Sequence, residues 1–168
     1  MDPGRRAFLK GDLLSAEGRA LGPVPPWHRG RAMHAECAAC AAPCVGACPE
    51  RIVRVHLRDH ALSGVPYLTF ERGGCTWCGA CAAACPQGLS RAPRRPKLGR
   101  VHLERGSCLS WNGVVCISCA SRCVYRAINR DRSGRVTLDA EACTGCGACI
   151  AACPVPGALA FQGGVGEN

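Results

Sequence analysis

A chain of 168 residues carrying sixteen cysteines uses that residue far above the ordinary level, so cysteine chemistry has to organise the fold. Three Phe, three Trp and two Tyr are too few for an aromatic-rich core, which leaves a small protein in need of staples such as metal. The formal charge of +9 raises nucleic acid or a membrane surface as partners. Four thiolates around an oxidised iron–sulfur core leave about −2 per site, however, so four such sites bring the chain to about +1 and the basic excess stops arguing for nucleic acid.

The leading arm spans residues 1–33. A disulfide scaffold would need a secretory signal, and Met1 to Gly30 holds no apolar run of roughly 7–15 residues that could form a signal core. No stretch approaches a transmembrane span. The expectation is therefore a reduced, cytoplasmic compartment and metal-bound thiolates. Arg5-Arg6-Ala7-Phe8-Leu9-Lys10 has the look of a twin-arginine export motif, but the charged Gly11-Asp12-Leu13-Leu14-Ser15-Ala16-Glu17 follows it. A docking arm and a solvated basic tail both remain open for this segment.

The first cysteine group, Cys37, Cys40, Cys44 and Cys48, opens a module over residues 34–90. Cys40 and Cys44 are separated by three residues where the regular run has two, which leaves a labile or three-iron cluster as the alternative to an ordinary one. Ile52–Leu57 and Pro66–Phe70 then flank a loop ending in Ser63-Gly64 and read as a short hairpin. The second group, Cys75, Cys78, Cys81 and Cys85, is followed by Pro86. It reads C-x2-C-x2-C-x3-C-P, the ligand run of bacterial two-cluster ferredoxins. Residues 91–100, basic and rich in proline, read as a linker.

A second module over 101–162 repeats the plan, and residues 163–168 form a tail. Its opening group is Cys108, Cys116, Cys119 and Cys123, with seven residues between the first two cysteines and Val124 in place of the proline. Ala127–Asn129 and Arg135–Asp139 flank Asp131-Arg132-Ser133-Gly134 as a second hairpin. Cys143, Cys146, Cys149 and Cys153, followed by Pro154, restore the regular run.

In this ligand pattern three close thiolates bind one cluster, while the fourth cysteine is carried to its neighbour. The hairpin spacing therefore predicts three to four [4Fe–4S] clusters, the irregular third group being the one that leaves the count open. Cys37, Cys40 and Cys44 take Cys85. Cys75, Cys78 and Cys81 take Cys48. Cys108, Cys116 and Cys119 take Cys153, and Cys143, Cys146 and Cys149 take Cys123. The fold class is α+β: two ferredoxin-like modules of short hairpins and small helices wrapped on clusters. Zinc is the rival metal, yet it calls for two C-x2-C pairs separated by a longer spacer. His28, His34, His56, His60 and His102 are expected at the surface. Trp77 and Trp111, inside ligand loops, are expected to pack as bulky side chains or to shield clusters from water. No open metal site with a base, nucleophile pair or phosphate loop points to catalysis.

Arg5-Arg6-Ala7-Phe8-Leu9, Pro25-Pro26-Trp27 and the seven-residue gap of the third group resemble the NapF family, ferredoxin-type accessory proteins of bacterial periplasmic nitrate reductase systems. The resemblance runs over nearly the whole chain. It implies a soluble cytoplasmic protein that acts on the precursor of the molybdenum-containing catalytic subunit before export, by supplying electrons or assisting insertion of that subunit's own cluster. Cysteine spacing alone reaches only as far as electron transfer, so an electron-transfer subunit of a redox enzyme is the second reading.

Overall fold

The computed structural model describes residues 22–90 and 97–162. The segment read as a docking arm, the basic stretch 91–96 and the tail lie outside the described residues. The protein mixes very short helices with very short strands. After a 3₁₀ turn at Gly30–Met33 come α1 (His34–Ala38), α2 (Pro43–Ala47), β1 (Val53–Val55), β2 (Pro66–Leu68) and α3 (Ala80–Ala83). The C-terminal half follows with β3 (Arg100–Leu103), a 3₁₀ turn at Leu109–Trp111, α4 (Ser118–Arg122), β4 (Ile128–Arg130), β5 (Val136–Leu138), α5 (Ala148–Ala152) and β6 (Leu159–Gln162).

Both expected hairpins are present as antiparallel pairs. Val53 faces Leu68 and Val55 faces Pro66 in the first, and Ile128 faces Leu138 in the second. The loop of the first hairpin presses on α1, so closely that a Cβ on Gly64 (φ +78°) would run into the Cys37 carbonyl. A third sheet was not legible beforehand: β3 pairs antiparallel with β6, Val101 facing Phe161 and Leu103 facing Leu159. Arg100 therefore belongs to a strand and not to the basic linker. The end of that linker is also tied down, since Lys97 Nζ donates to the Ala140 carbonyl at 3.0 Å and Leu98 N–H to the Thr144 carbonyl at 3.0 Å. Arg100 and Glu141 add an ion pair at 3.3 Å that is too exposed to contribute much.

Two small apolar cores result. Ile52, Val53, Leu68 and Phe70 form one, and Val101, Ala127, Ile128, Val136 and Leu159 with Cys119, Cys143 and Cys149 form the other. The halves are packed together. Leu98, Ile150 and Phe161 from the C-terminal half cover the N-terminal core, and the Phe70 and Phe161 rings lie 5.5 Å apart. Gly147, at φ +78°, sits where an added Cβ would enter the Phe70 ring. Cys75 N–H donates to the Cys146 carbonyl at 2.7 Å, so the second and fourth ligand loops touch through their backbones.

Candidate metal centres

The third cysteine of each group sits in one of these short helices, and the residue just before the helix sets the bend. Gly79 (φ 76°) precedes α3 and Gly147 precedes α5, both left-handed, two residues ahead of Cys81 and Cys149. The extra residue of the first group is absorbed at the same point: Ala42 takes φ 52°, ψ 51° ahead of Pro43 and Cys44. A left-handed residue with a Cβ costs about 1–2 kcal/mol. Ala42→Gly is therefore expected to stabilise the holoprotein by about 1 kcal/mol, less the chain entropy glycine adds. Slower iron release in chelator and a raised Tm would show it; faster release than the wild type would contradict it.

The fourth cysteine of the first three groups opens a turn of one kind. Arg51, Gly88 and Arg126 are all left-handed, and their N–H groups donate to the Cys48, Cys85 and Cys123 carbonyls at 3.0, 3.1 and 3.0 Å. The third group keeps this turn although Val124 replaces proline. Its seven-residue gap is folded onto β5: Trp111 Nε1–H donates to the Val136 carbonyl at 2.9 Å, and Val136 N–H donates to Ser110 Oγ at 3.0 Å.

Among the described residues, three hollows lie behind the ligand loops. One has Cys37, Cys40, Cys44 and Cys85 in its wall, together with Cys81, which borders two hollows. A second is walled by Cys48, Cys75, Cys78 and Cys81. A third is walled by Cys123, Cys143, Cys146 and Cys149. For the remaining group the structure brings Cys108 and Cys116 within electrostatic reach of Cys119, and packs Cys153 against the core that contains Cys119.

Electrostatics trace the same neighbourhoods. Burial first, and then the nearby Cys40, Cys85 and Cys44 thiols, push Cys37 up to about 11. Burial pushes Cys75 up to about 12, with Cys81, Cys78 and Cys48 adding to it against an opposing backbone hydrogen bond at Trp77. Burial and then Cys146, Cys143 and Cys123 push Cys149 up to about 12. Several thiolates crowded into a half-dry hollow need a cationic core between them, and metal binding supplies that charge while releasing the protons.

The walls fit an iron–sulfur core in a second way. Among the described residues, Trp27 Nε1, Trp77 Nε1 and Thr144 Oγ1 are buried side-chain polar atoms without a hydrogen-bond partner. Trp27 and Trp77 line the second hollow, edge to face at 6.5 Å, and Thr144 lines the third. Buried donors normally find acceptors, and the sulfurs of a cluster would provide them. No group of three or more His, Cys, Asp or Glu side chains among the described residues gathers as a site for a single metal ion.

The two tryptophans divide between the expected roles, and one expectation about the histidines changes. Trp77 is 8% exposed and lines a hollow, whereas Trp111 packs beside Val136 with the Arg105 and Arg135 guanidinium groups at 4.4 and 5.1 Å from its ring. The histidines are not all at the surface. His56 is 2% exposed, hydrogen-bonded through Nδ1 to the Val65 carbonyl at 2.7 Å and stacked near His60 and Tyr67. His28 is half-buried, with Nε2 3.4 Å from Cys37 Sγ. Burial, and then the Arg29 charge, hold its pKa below the ordinary value. A histidine nine residues from its cysteine gives no spacing signal in the sequence.

Comparison with known proteins agrees with this chemistry. The family described as "4Fe-4S binding domain" matches residues 134–155. The chain is 34% identical over 162 residues to the ferredoxin-type protein NapF of Escherichia coli (strain K12), covering 92% of each. It is 32% identical to the ferredoxin-type protein NapG of Haemophilus influenzae, over 83% of this chain and 57% of that one. It is also 35% identical to the thiosulfate reductase electron transfer subunit PhsB of Salmonella typhi, over 48% of this chain and 47% of that one. With more than 30% identity across nearly the whole of both sequences, the chain belongs to the NapF family of ferredoxin-type iron–sulfur proteins.

Proposed function

We propose that the protein is an accessory factor that carries four [4Fe–4S] clusters and acts in the cytoplasm on the precursor of the periplasmic nitrate reductase catalytic subunit, before export. The near full-length similarity to NapF carries this reading. Two ferredoxin-like modules, over residues 34–90 and from β3 to about 162, would exchange their fourth cysteines. Cys37, Cys40, Cys44 and Cys85 would hold one cluster and Cys75, Cys78, Cys81 and Cys48 the next. Cys143, Cys146, Cys149 and Cys123 would hold a third, and Cys108, Cys116, Cys119 and Cys153 a fourth. The second and third sets match the cysteine walls of two hollows, and the first set lies together with Cys81 in the wall of another, which supports them.

When bound, such clusters supply one-electron sites. The chain's part is to space and insulate them. The backbone contact from Cys75 to Cys146 sets the second and fourth loops side by side, and Cys78 is exposed, giving a partner an approach. Among the described residues no helix is long and apolar enough to cross a membrane.

The arm before residue 22 has no cysteine but carries Phe8, Leu9, Leu13 and Leu14 beside Arg5, Arg6 and Lys10. Buried apolar anchors supply affinity where charge mainly speeds encounter, so this arm suits docking better than the basic stretch 91–96. Deleting residues 2–21 is expected to leave iron content unchanged and to weaken capture of the tagged catalytic precursor about tenfold, near 1.4 kcal/mol. Equal capture by the truncated protein would leave the arm a tail. A plain electron-transfer role is favoured by one observation, the similarity to PhsB. It predicts reduction of a mature redox enzyme by this protein and no retention of the precursor.

A further inference from the structure

We propose that His28 is a positioning residue for the first cluster: its imidazole donates an Nε2–H hydrogen bond to the Cys37 sulfur and so raises the reduction potential of the cluster that Cys37 holds. The inference rests on the ligand sets given above. Its geometry is independent of them. Gly30 N–H donates to His28 Nδ1 at 2.9 Å, which occupies the lone pair of that nitrogen and places the ring proton on Nε2. Nε2 then lies 3.4 Å from Cys37 Sγ. The backbone that carries the ring is held too, since His28 N–H donates to the Pro25 carbonyl at 3.1 Å. The ring forms part of the wall of the hollow that contains Cys37, Cys40, Cys44 and Cys85. No histidine lines the other two hollows.

A hydrogen bond to a ligand sulfur favours the more negative, reduced cluster. The reduction in question adds one electron from a one-electron donor such as dithionite. The imidazole proton stays on Nε2 and none is taken up. Chains of such contacts orient a ligand as well as tuning it, and here a backbone N–H, an imidazole and a thiolate stand in series.

The test uses the anaerobically purified full-length holoprotein. His28→Leu, which keeps bulk but no donor, is expected to lower the midpoint potential of one cluster in an EPR-monitored dithionite titration. The shift should favour the oxidised form about tenfold, or about 59 mV for a one-electron couple, with the other clusters unmoved. His28→Gln, which retains an N–H donor, should recover most of the shift. Unchanged potentials at full iron content in the Leu variant would overturn the proposal. A wild type without iron at the first group would instead refute the ligand reading on which it rests. Should the Leu variant lose its cluster, wild-type protein labelled with [¹⁵N]histidine decides. A ¹⁵N hyperfine coupling to the reduced cluster, absent in His28→Gln where the labelled ring is gone, is expected. No such coupling in the wild type would overturn the proposal.

Discussion

Cys85→Ala protein, purified without oxygen, is expected to carry about twelve irons against about sixteen for the wild type, from four irons at each site. The missing four should come from the cluster of the first group, although Cys85 belongs by sequence to the second. Cys85 lines the same hollow as Cys37, Cys40 and Cys44, and its charge raises the Cys37 and Cys44 thiols, while the second hollow is walled by Cys48, Cys75, Cys78 and Cys81. Double variants separate the alternatives without assigning any spectrum. Cys85→Ala combined with Cys37→Ala removes two ligands of one cluster and should lose no more iron than either change alone. Cys85→Ala combined with Cys75→Ala strikes two clusters and should leave about eight irons. The reverse pattern would show that each group keeps its own fourth cysteine. Cys81, which borders both hollows, makes this outcome a real question rather than a formality.

Removing the iron altogether is expected to abolish the fold. Among the described residues the α-helices run four or five residues and every sheet has two strands. Isolated helices below about 12 residues are marginal in water, and a lone hairpin is no better. Few large side chains are fully buried, Met33, Ile52, Val53, Val65 and Val136 among them, and several core positions are themselves cysteines. Without a core of metal and sulfide, the raised thiols stay protonated and the hollows they line have nothing to close on. Oxidative removal of iron in chelator should therefore erase the far-UV circular dichroism and the cooperative melt, and anaerobic reconstitution with iron and sulfide should restore both. An apoprotein that melts cooperatively near the holoprotein's Tm would show that the apolar cores suffice alone.

His28 and the β3–β6 sheet mark where reading the chain by itself ran out. The hairpins were legible because short apolar runs flank turn residues such as Ser63-Gly64 and Ser133-Gly134 within a few positions. Arg100–Leu103 and Leu159–Gln162 lack that local punctuation, and each is four residues long at opposite ends of the C-terminal half. Only chain closure brings them together, so Arg100 read as linker. The insertion in the third group was visible as a gap, but its purpose was not. Trp111 and Ser110 reach Val136, a contact that spacing within the group cannot announce.

The sequence by itself determined the chemistry: sixteen thiols in four runs, their spacing and their grouping follow from covalent neighbours, since a ligand loop is a local object that a few residues specify. The resemblance to the NapF family rested on the same local signatures, and membership on identity across nearly the whole chain. Tertiary structure alone decided what surrounds the sulfurs. It set the Phe70 ring against Gly147, joined the second and fourth loops through Cys75 and Cys146, buried His56, and turned His28 onto Cys37. These are contacts beyond the reach of a ligand loop, some between segments distant along the chain, made by packing and desolvation. No periodicity or motif records them, because their energy exists only once both partners have been brought out of water together.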